Sequence, residues 1–333
     1  MAKATNTAKG TEKDAKFREA IAGLEKRYGM GVVIYGKDVV EELEVVKSGS
    51  MGLDLATNIG GIPVGKLIEI FGPESSGKST LTLHVIGNFQ KLEGVVLLVD
   101  YEYSFDRKYA IALGVDVDNL VILQPDCMED GYNQVETLIR TGYVRLVVID
   151  SHTAGLPKAV IEGEVGDATI ALQARFNSLG LGKIKPLLRP NRCSMIGISQ
   201  LRTAIGSYGD PDKPTGGNAW KFYSDMRMKI SKVLEKEKES NKTTVVVVKN
   251  KCAPPFGSAT FAINWGTGID RIAEVIDAAV MFKILSMKGS YYYYNDANVA
   301  QGKDQLKTFF VDNPEVATEI ETKLLTAIEE AEK

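Results

Sequence analysis

The stretch LIEIFGPESSGKST, residues 67–80, decides how this chain is read. Leu67 to Phe71 form a short apolar run that predicts a strand. Gly72, Pro73, Glu74, Ser75, Ser76, Gly77, Lys78 and Ser79 then match the phosphate-loop pattern GxxxxGK[ST] at every fixed position, and Thr80 follows. Leu81, Val85 and Phe89 recur at intervals of four, which predicts a helix directly after the loop. Glycines let such a loop wrap with its backbone N–H groups pointing at phosphate oxygens. The first turn of the helix adds unpaired donors and the positive end of its dipole. Lys78 is placed to reach the β- and γ-phosphates, and the Ser79 hydroxyl to bind Mg2+. The plain alternative is a tight Gly/Ser turn that carries a lysine.

Bulk properties narrow the classes around this loop. A chain of 333 residues is long for one domain and predicts a core with smaller appendages. Its net charge of −3 announces no global affinity for nucleic acid, so any such contact must be local. The three cysteines, Cys127, Cys193 and Cys252, are far apart and lack metal-site spacing. They argue against a disulfide framework or zinc site and predict a reducing, cytoplasmic setting. With His84 and His152 as the only histidines, a histidine metal centre is not expected. No apolar run has membrane-spanning length, and the first 16 residues have no apolar segment of a secretory signal.

Working outward, residues 1–14 lack apolar periodicity and read as a flexible tail. Phe17, Ile21, Leu24 and Tyr28 then form one face of a short helix within an N-terminal element spanning 15–47. That face either folds back on its own core or docks on a neighbouring subunit. Between 48 and 268 the runs Leu67–Phe71, Val95–Val99, Leu146–Ile149, Met195–Ser199 and Val245–Val248 are short and unalternating. Strands buried on both faces read this way, so an α/β core with a mostly parallel central sheet flanked by helices is predicted. Ligands of open α/β sheets bind at the C-terminal strand edge. Residues 232–242 mix charges and read as a hairpin tip. Residues 269–333 predict a small α+β domain, with Tyr291–Tyr294 as a strand and a helix starting at Asn313-Pro314-Glu315. The last nineteen residues carry six Glu and two Lys, an acidic end.

Two predicted strands end in carboxylates. The run Leu146 to Ile149 leads into Asp150, the pattern that holds Mg2+ directly or through water. Val95 to Val99 leads into Asp100, Tyr101 and Glu102. A carboxylate there either polarises an attacking water or is a solvent-facing strand end. Gln200 ends another strand, where an amide either caps the strand or senses the γ-phosphate. Two Gly-rich loops follow, around 161–167 and 203–217. Loops that order on single-stranded DNA are one reading, and a substrate lid is the other.

Taken together, these segments resemble the bacterial RecA family of homologous recombinases. The matching text is GPESSGKST (72–80), the spacing of Asp100, Glu102 and Asp106, LGVDVDNL (113–120), QPD (124–126), PKAVIEGEVGD (157–167), TGGNAWKFY (215–223) and VVKNKCAPPF (247–256). The resemblance covers roughly residues 15–330 and implies a P-loop NTPase core of that family. It implies a DNA-dependent ATPase using ATP and Mg2+, which forms a helical filament of its own copies on single-stranded DNA and pairs it with homologous duplex DNA in recombination and repair. It also raises repressor proteins and single-strand-binding protein as partners.

The resemblance assigns roles by position. Gly72 to Thr80 would bind the triphosphate, with Ser79 and Asp150 on the Mg2+ side. Glu102 would activate water, and Asp106 and Tyr109 would contact adenine. Gln200 would couple the γ-phosphate to the loop behind it. Lys249 and Lys251 would reach across the subunit interface to a neighbour's ATP, and Phe222 would relay nucleotide state there. Arg175, Arg202, Gly216, Gly217 and Asn218 would meet the DNA backbone, while Ile170 and Ile205 would wedge between base groups. The N-terminal helix would pack on the adjacent protomer. Departures are visible too. Tyr101, Tyr103 and Ser104 replace smaller residues, a His and Ala of the family. The second loop is about one residue short, and Pro255 is an added proline. The long acidic tail of many members is expected to be absent or truncated; if that tail is inhibitory, readier loading on duplex DNA follows. A DNA-independent ATPase or kinase, and a filament scaffold switched by ATP, are the alternative functions on the same core.

Overall fold

The structure, a computed structural model, describes residues 5–29, 32–36, 43–164, 170–203, 212–214, 217–233 and 240–331. The chain divides into two compact units, residues 1–43 and 44–333. The first contains helix α1 (Thr5–Tyr28). Residues 5–14, expected as a flexible tail, are helical, because periodicity reports a buried face rather than helix formation itself. Pairs four residues apart support the helix without any apolar face: Glu12 with Lys16 at 2.8 Å and Asp14 with Arg18 at 3.1 Å. Phe17, Leu24 and Tyr28 stand exposed on it. The unit ends before Glu44, so residues 44–47, assigned from sequence to the N-terminal element, belong to the second unit. There Glu44 accepts from Arg192.

The second unit begins with a ribbon of β1 (Val45–Val46) and β2 (Ile62–Pro63) around α2 (Met51–Ala56). Alternating elements follow: β3 (Leu67–Gly72), α3 (Lys78–Phe89), β4 (Val95–Asp100), α4 (Arg107–Ala112), β5 (Leu120–Leu123), α5 (Met128–Ile139), β6 (Val144–Asp150), α6 (Lys158–Ile161) and α7 (Ile170–Leu188). Then come β7 (Ser194–Thr203), β8 (Asp212–Pro214), α8 (Ala219–Tyr223), β9 (Met226–Val233), β10 (Ser240–Asn250), β11 (Ser258–Asn264) and β12 (Gly268–Ile269). The chain closes with α9 (Arg271–Met281), β13 (Ser286–Lys288), β14 (Tyr291–Tyr294), β15 (Ala297–Gln301), α10 (Lys303–Asp312) and α11 (Pro314–Ala331).

The main sheet runs β12-β11-β10-β9-β3-β7-β6-β4-β5, with β8 beside the end of β7. From β9 to β5 every neighbouring pair is parallel. The flank β10 to β12 is antiparallel. The run Val245–Val248 lies in that flank, where Val245 and Val247 are buried and Val246 and Val248 half-buried. A continuous apolar run records cover on both faces and does not fix strand direction. Helices cover both faces of the parallel part. Leu81, Val85 and Phe89 of α3 are fully buried in one layer, while Val135 of α5 and Leu181 of α7 are buried in the other. A third core, built on Ile276, Leu306, Ile320 and Leu324, joins the strands β13 to β15 to α9, α10 and α11. Met51 of α2 enters this third core, tying it to the larger layer.

Candidate functional site

Parallel register gathers the chemistry at one edge. Gly72 at the end of β3 is paired with Gln200 on β7, and Asp100 at the end of β4 with Asp150 on β6. The strand order β3-β7-β6-β4 therefore lays the phosphate loop, Gln200, Asp150 and Asp100 side by side. The loop between β3 and α3 is held by close backbone approach. A Cβ on Gly72 would lie 2.1 Å from the Ile230 carbonyl oxygen. Gly77 has φ +94°, a conformation that favours glycine, and a Cβ there would meet Ile263 Cδ1 at 2.4 Å.

Side chains complete a cleft of about 330 Å3. It is lined by Glu74 to Thr80, Glu102, Tyr109, Asp150 and Gln200, together with Asn241, Thr243, Ile263 and Trp265. Lys78 Nζ donates to the carbonyl oxygens of Pro73 and Gly72 at 2.6 and 3.2 Å, and burial lowers its pKa. Ser79 Oγ donates to Asp150 Oδ2 at 2.9 Å. Burial pushes the Asp150 carboxyl up to about 6, against the lowering effect of the Ser79 bond. Glu102 Oε1 accepts from Ser151 Oγ at 2.5 Å and from Gln200 Nε2 at 2.8 Å. Asp100 is buried rather than solvent-facing and accepts from the Ser104 and Phe105 amides at 3.3 and 3.4 Å, bracing the turn that carries Glu102.

Asp106 and Tyr109 stand at the start of α4. Asp106 caps that helix, accepting from the Lys108 and Tyr109 amides at 2.9 and 3.0 Å. Both residues line a smaller neighbouring pocket of about 140 Å3 with apolar walls from Leu83, Ile86 and Leu98. The tyrosine hydroxyl pairs with Thr80 Oγ1 at 2.9 Å. Tyr101 fills a slot left by two glycines. A Cβ on Gly131 would lie 2.0 Å from its hydroxyl, and one on Gly155 would lie 3.2 Å from its ring. That slot accommodates the large residue beside Glu102.

The oxygen set fits a magnesium nucleotide. Ser79 and Asp150 offer adjacent hard oxygen donors, and Lys78 with the backbone of the loop offers donors for phosphate. Asn241, Thr243, Ile263 and Trp265 were not picked out by sequence reasoning. They come from the antiparallel flank, and nothing local in their segments marks them as facing the phosphate loop.

Other predicted residues lie elsewhere. Lys249 pairs in register with Arg227, and Arg227 with Glu69 near the start of β3, so Lys249 stands at the opposite sheet edge from the loop. Lys249 Nζ donates to the Lys221 and Phe222 carbonyls of α8 at 2.8 and 3.2 Å. Burial lowers its pKa, with further lowering from Lys251. Lys251 lies 3.5 Å from Asp225, and the Phe222 ring is 69% exposed. Among the residues expected on DNA, Gly217 (φ +86°) packs against α7, where a Cβ would meet Ala174 Cβ at 2.5 Å. Arg175, beside Ala174, and Asn218, beside Gly217, are exposed. Ile170 begins α7 and Arg202 lies in β7. Ile205 and Gly216 lie outside the described residues. Among the described residues no helix is long and apolar enough to cross a membrane, and no cluster of acidic, cysteine or histidine side chains forms a metal site.

Comparison with known proteins agrees with this geometry. Residues 15–270 match the family model of the RecA N-terminal domain, and residues 273–329 that of the RecA C-terminal domain. The chain is 44% identical over 332 residues to the curated "Protein RecA" of Cytophaga hutchinsonii, covering 97% of this chain and 94% of that one. It is 43% identical over 327 residues to that of Bordetella petrii, covering 96% and 92%. With that of Bordetella pertussis the identity is 44% over 327 residues, covering 96% and 93%.

Proposed function

This chain belongs to the RecA family, and from that premise we propose that it is an ATP-driven recombinase that assembles head-to-tail on single-stranded DNA and pairs it with homologous duplex. The observation that carries the reading is the division of its functional groups between two edges of one sheet. The phosphate loop, Glu102, Asp150 and Gln200 share the cleft, while Lys249, Lys251 and Phe222 stand at the far edge. A single copy cannot bring Lys249 to its own loop, but a neighbouring copy stacked on the cleft can.

Bound ATP and Mg2+ supply the phosphoryl group and its charge neutralisation. Lys78 leaves the Gly72 and Pro73 carbonyls to hold phosphate oxygens. Ser79 and Asp150 would hold Mg2+ through their adjacent oxygens. Glu102, oriented by Ser151 and Gln200, takes a proton from the attacking water. Lys249 and Lys251 of the next copy stabilise negative charge developing on the phosphate. Gln200 links the cleft to β7 and the loop after it. Asp106, Tyr109 and Trp265 surround the base. Arg175, Arg202, Gly217 and Asn218, with Ile170, Ile205 and Gly216, form the DNA grip. Contacts to the backbone rather than to base edges leave homology to be read by base pairing.

The decisive experiment measures ATP turnover with and without single-stranded DNA, and sedimentation with a non-hydrolysable ATP mimic and magnesium. Turnover should rise with DNA, and large assemblies should form on it. A rate indifferent to DNA, with a protein that stays monomeric, would overturn the proposal.

A further inference from the structure

Behind the cleft runs a chain of buried polar contacts that the chemistry above does not use. His152, just past Asp150, is 2% exposed. Its amide donates to the Ile198 carbonyl at 3.2 Å, and its ring Nε2 lies 2.5 Å from Ser199 Oγ. Ser199 Oγ donates to Glu69 Oε1 at 2.8 Å. The serine proton is thereby committed, so His152 must donate from Nε2. Glu69 Oε2 accepts from Arg227 Nε, and Arg227 faces Lys249 in the β9–β10 register. His152 follows β6, and the other members come from β7, β3, β9 and β10, the next four strands in spatial order. The series leads from the cleft to the edge that carries Lys249.

A second branch leaves through the face of the ring. His152 stacks on Trp220 of α8, with centroids 4.6 Å apart and planes 11° from parallel. Gly197 makes room for the indole, since a Cβ there would lie 2.3 Å from it. The segment after His152 also meets α7: Gln173 Nε2 donates to the Thr153 and Gly155 carbonyls at 3.1 and 2.9 Å. Residues 152–155 therefore touch the first turns of both helices that begin where the Gly-rich loops end. Apolar groups of similar shape could fill this space without burying a His, a Glu and an Arg, so stability alone is a weak account of the network.

We propose that His152 is a positioning residue that couples the nucleotide cleft to α8, through Ser199 and Trp220. The proposal rests on reading the cleft as the ATP site. The element with two arrangements is α8, whose last carbonyls hold Lys249 until that lysine turns to a neighbouring copy's phosphate. Loading Asp150 and Ser79 shifts the β6 tip, and His152 passes the shift to the indole. Linkage requires the effect to be reciprocal between nucleotide and DNA.

The test compares the full chain with His152→Phe, which keeps a ring against Trp220 but loses the donor, and Ser199→Ala, which loses the acceptor. A labelled oligothymidylate is titrated with and without a non-hydrolysable ATP analogue and Mg2+. The affinity for the analogue is measured with and without the oligonucleotide. In the unsubstituted protein the analogue should tighten oligonucleotide binding by about tenfold or more. In the variants that factor should shrink by at least about threefold, equally in both directions, while affinity for the analogue without DNA stays within about twofold. Variants that weaken both ligands but keep the factor would assign His152 a merely structural role and overturn the proposal. Should His152→Phe fail to fold, Ser199→Ala decides alone. Absence of any enhancement in the unsubstituted protein defeats the ATP-site reading itself, whereas full enhancement in all three defeats only the role of His152.

Discussion

Gln200 donates from Nε2 to Oε1 of Glu102 across 2.8 Å. The same oxygen accepts from Ser151 at 2.5 Å, so β7 and the turn after β6 together aim one carboxylate. Glu102→Gln should keep ATP and DNA binding while lowering turnover by roughly 10²–10⁴-fold. Nucleotide binding by equilibrium dialysis and phosphate release separate the two effects. Unchanged turnover would remove Glu102 from the chemistry.

Lys78→Ala should abolish phosphate release without unfolding the chain, because among the described residues the lysine bonds only carbonyls of its own loop. Retained turnover would refute the phosphate-loop assignment.

Asp150 makes stability and magnesium binding depend on pH in opposite senses. Burial is the main cause that raises its carboxyl to about 6 from the ordinary 3.8. The folded state therefore holds the proton more tightly than the unfolded chain does. The associated stability is fully present below pH 3.8 and lost as pH rises through about 6, a contribution of about 3 kcal/mol. Magnesium needs the ionised form, so its apparent affinity should fall about tenfold per pH unit below 6. Asp150→Asn should flatten the stability profile and raise the melting temperature near pH 7. A profile unchanged by this substitution would show that Asp150 does not titrate as described.

Lys249 can be tested by mixing. If it acts on a neighbour's nucleotide, Lys78→Ala and Lys249→Ala proteins, each inactive alone, should regain activity together. Random one-to-one mixing leaves about a quarter of the junctions with an intact loop facing an intact Lys249. Turnover of about that fraction is expected, and none would place Lys249 outside the shared site.

Gly77→Ala should cost about 1–3 kcal/mol, from its positive φ and the clash with Ile263, and should weaken nucleotide binding. Thermal melting and nucleotide titration check both parts.

Trp265 offers a reporter. It is 62% exposed at the cleft, whereas Trp220 is 1% exposed. ATP analogues should alter the fluorescence of the protein, and Trp265→Phe should remove the response. A response that survives in that variant would move the base away from Trp265.

The phosphate loop was legible because its chemistry demands fixed residues at fixed spacing, and Asp150 because an apolar strand points to its last carboxylate. Glu102 and Gln200 were read as strand ends, but β7 runs on past Gln200 to Thr203 and Glu102 lies in the turn after β4; their partnership was not legible, since it depends on the order β3-β7-β6-β4. Trp265 and Thr243 stayed hidden because the antiparallel flank brings them to the cleft from far along the chain. The start of α1 stayed hidden for the opposite reason: ion pairs within one helix, not an apolar face, accompany it there. His152 reads from sequence as an isolated histidine, and only packing reveals Ser199 and Trp220 around it.

Because loop and Lys249 occupy opposite margins of one sheet, a row of N stacked copies would contain N−1 finished catalytic junctions if Lys249 completes a neighbour's cleft. One terminus presents an open pocket and the other an unused pair of ammonium groups. Short rows should then hydrolyse more slowly per molecule than long ones, and the two termini should gain and shed copies at different rates. Polarity of growth would then follow from the placement of a single lysine.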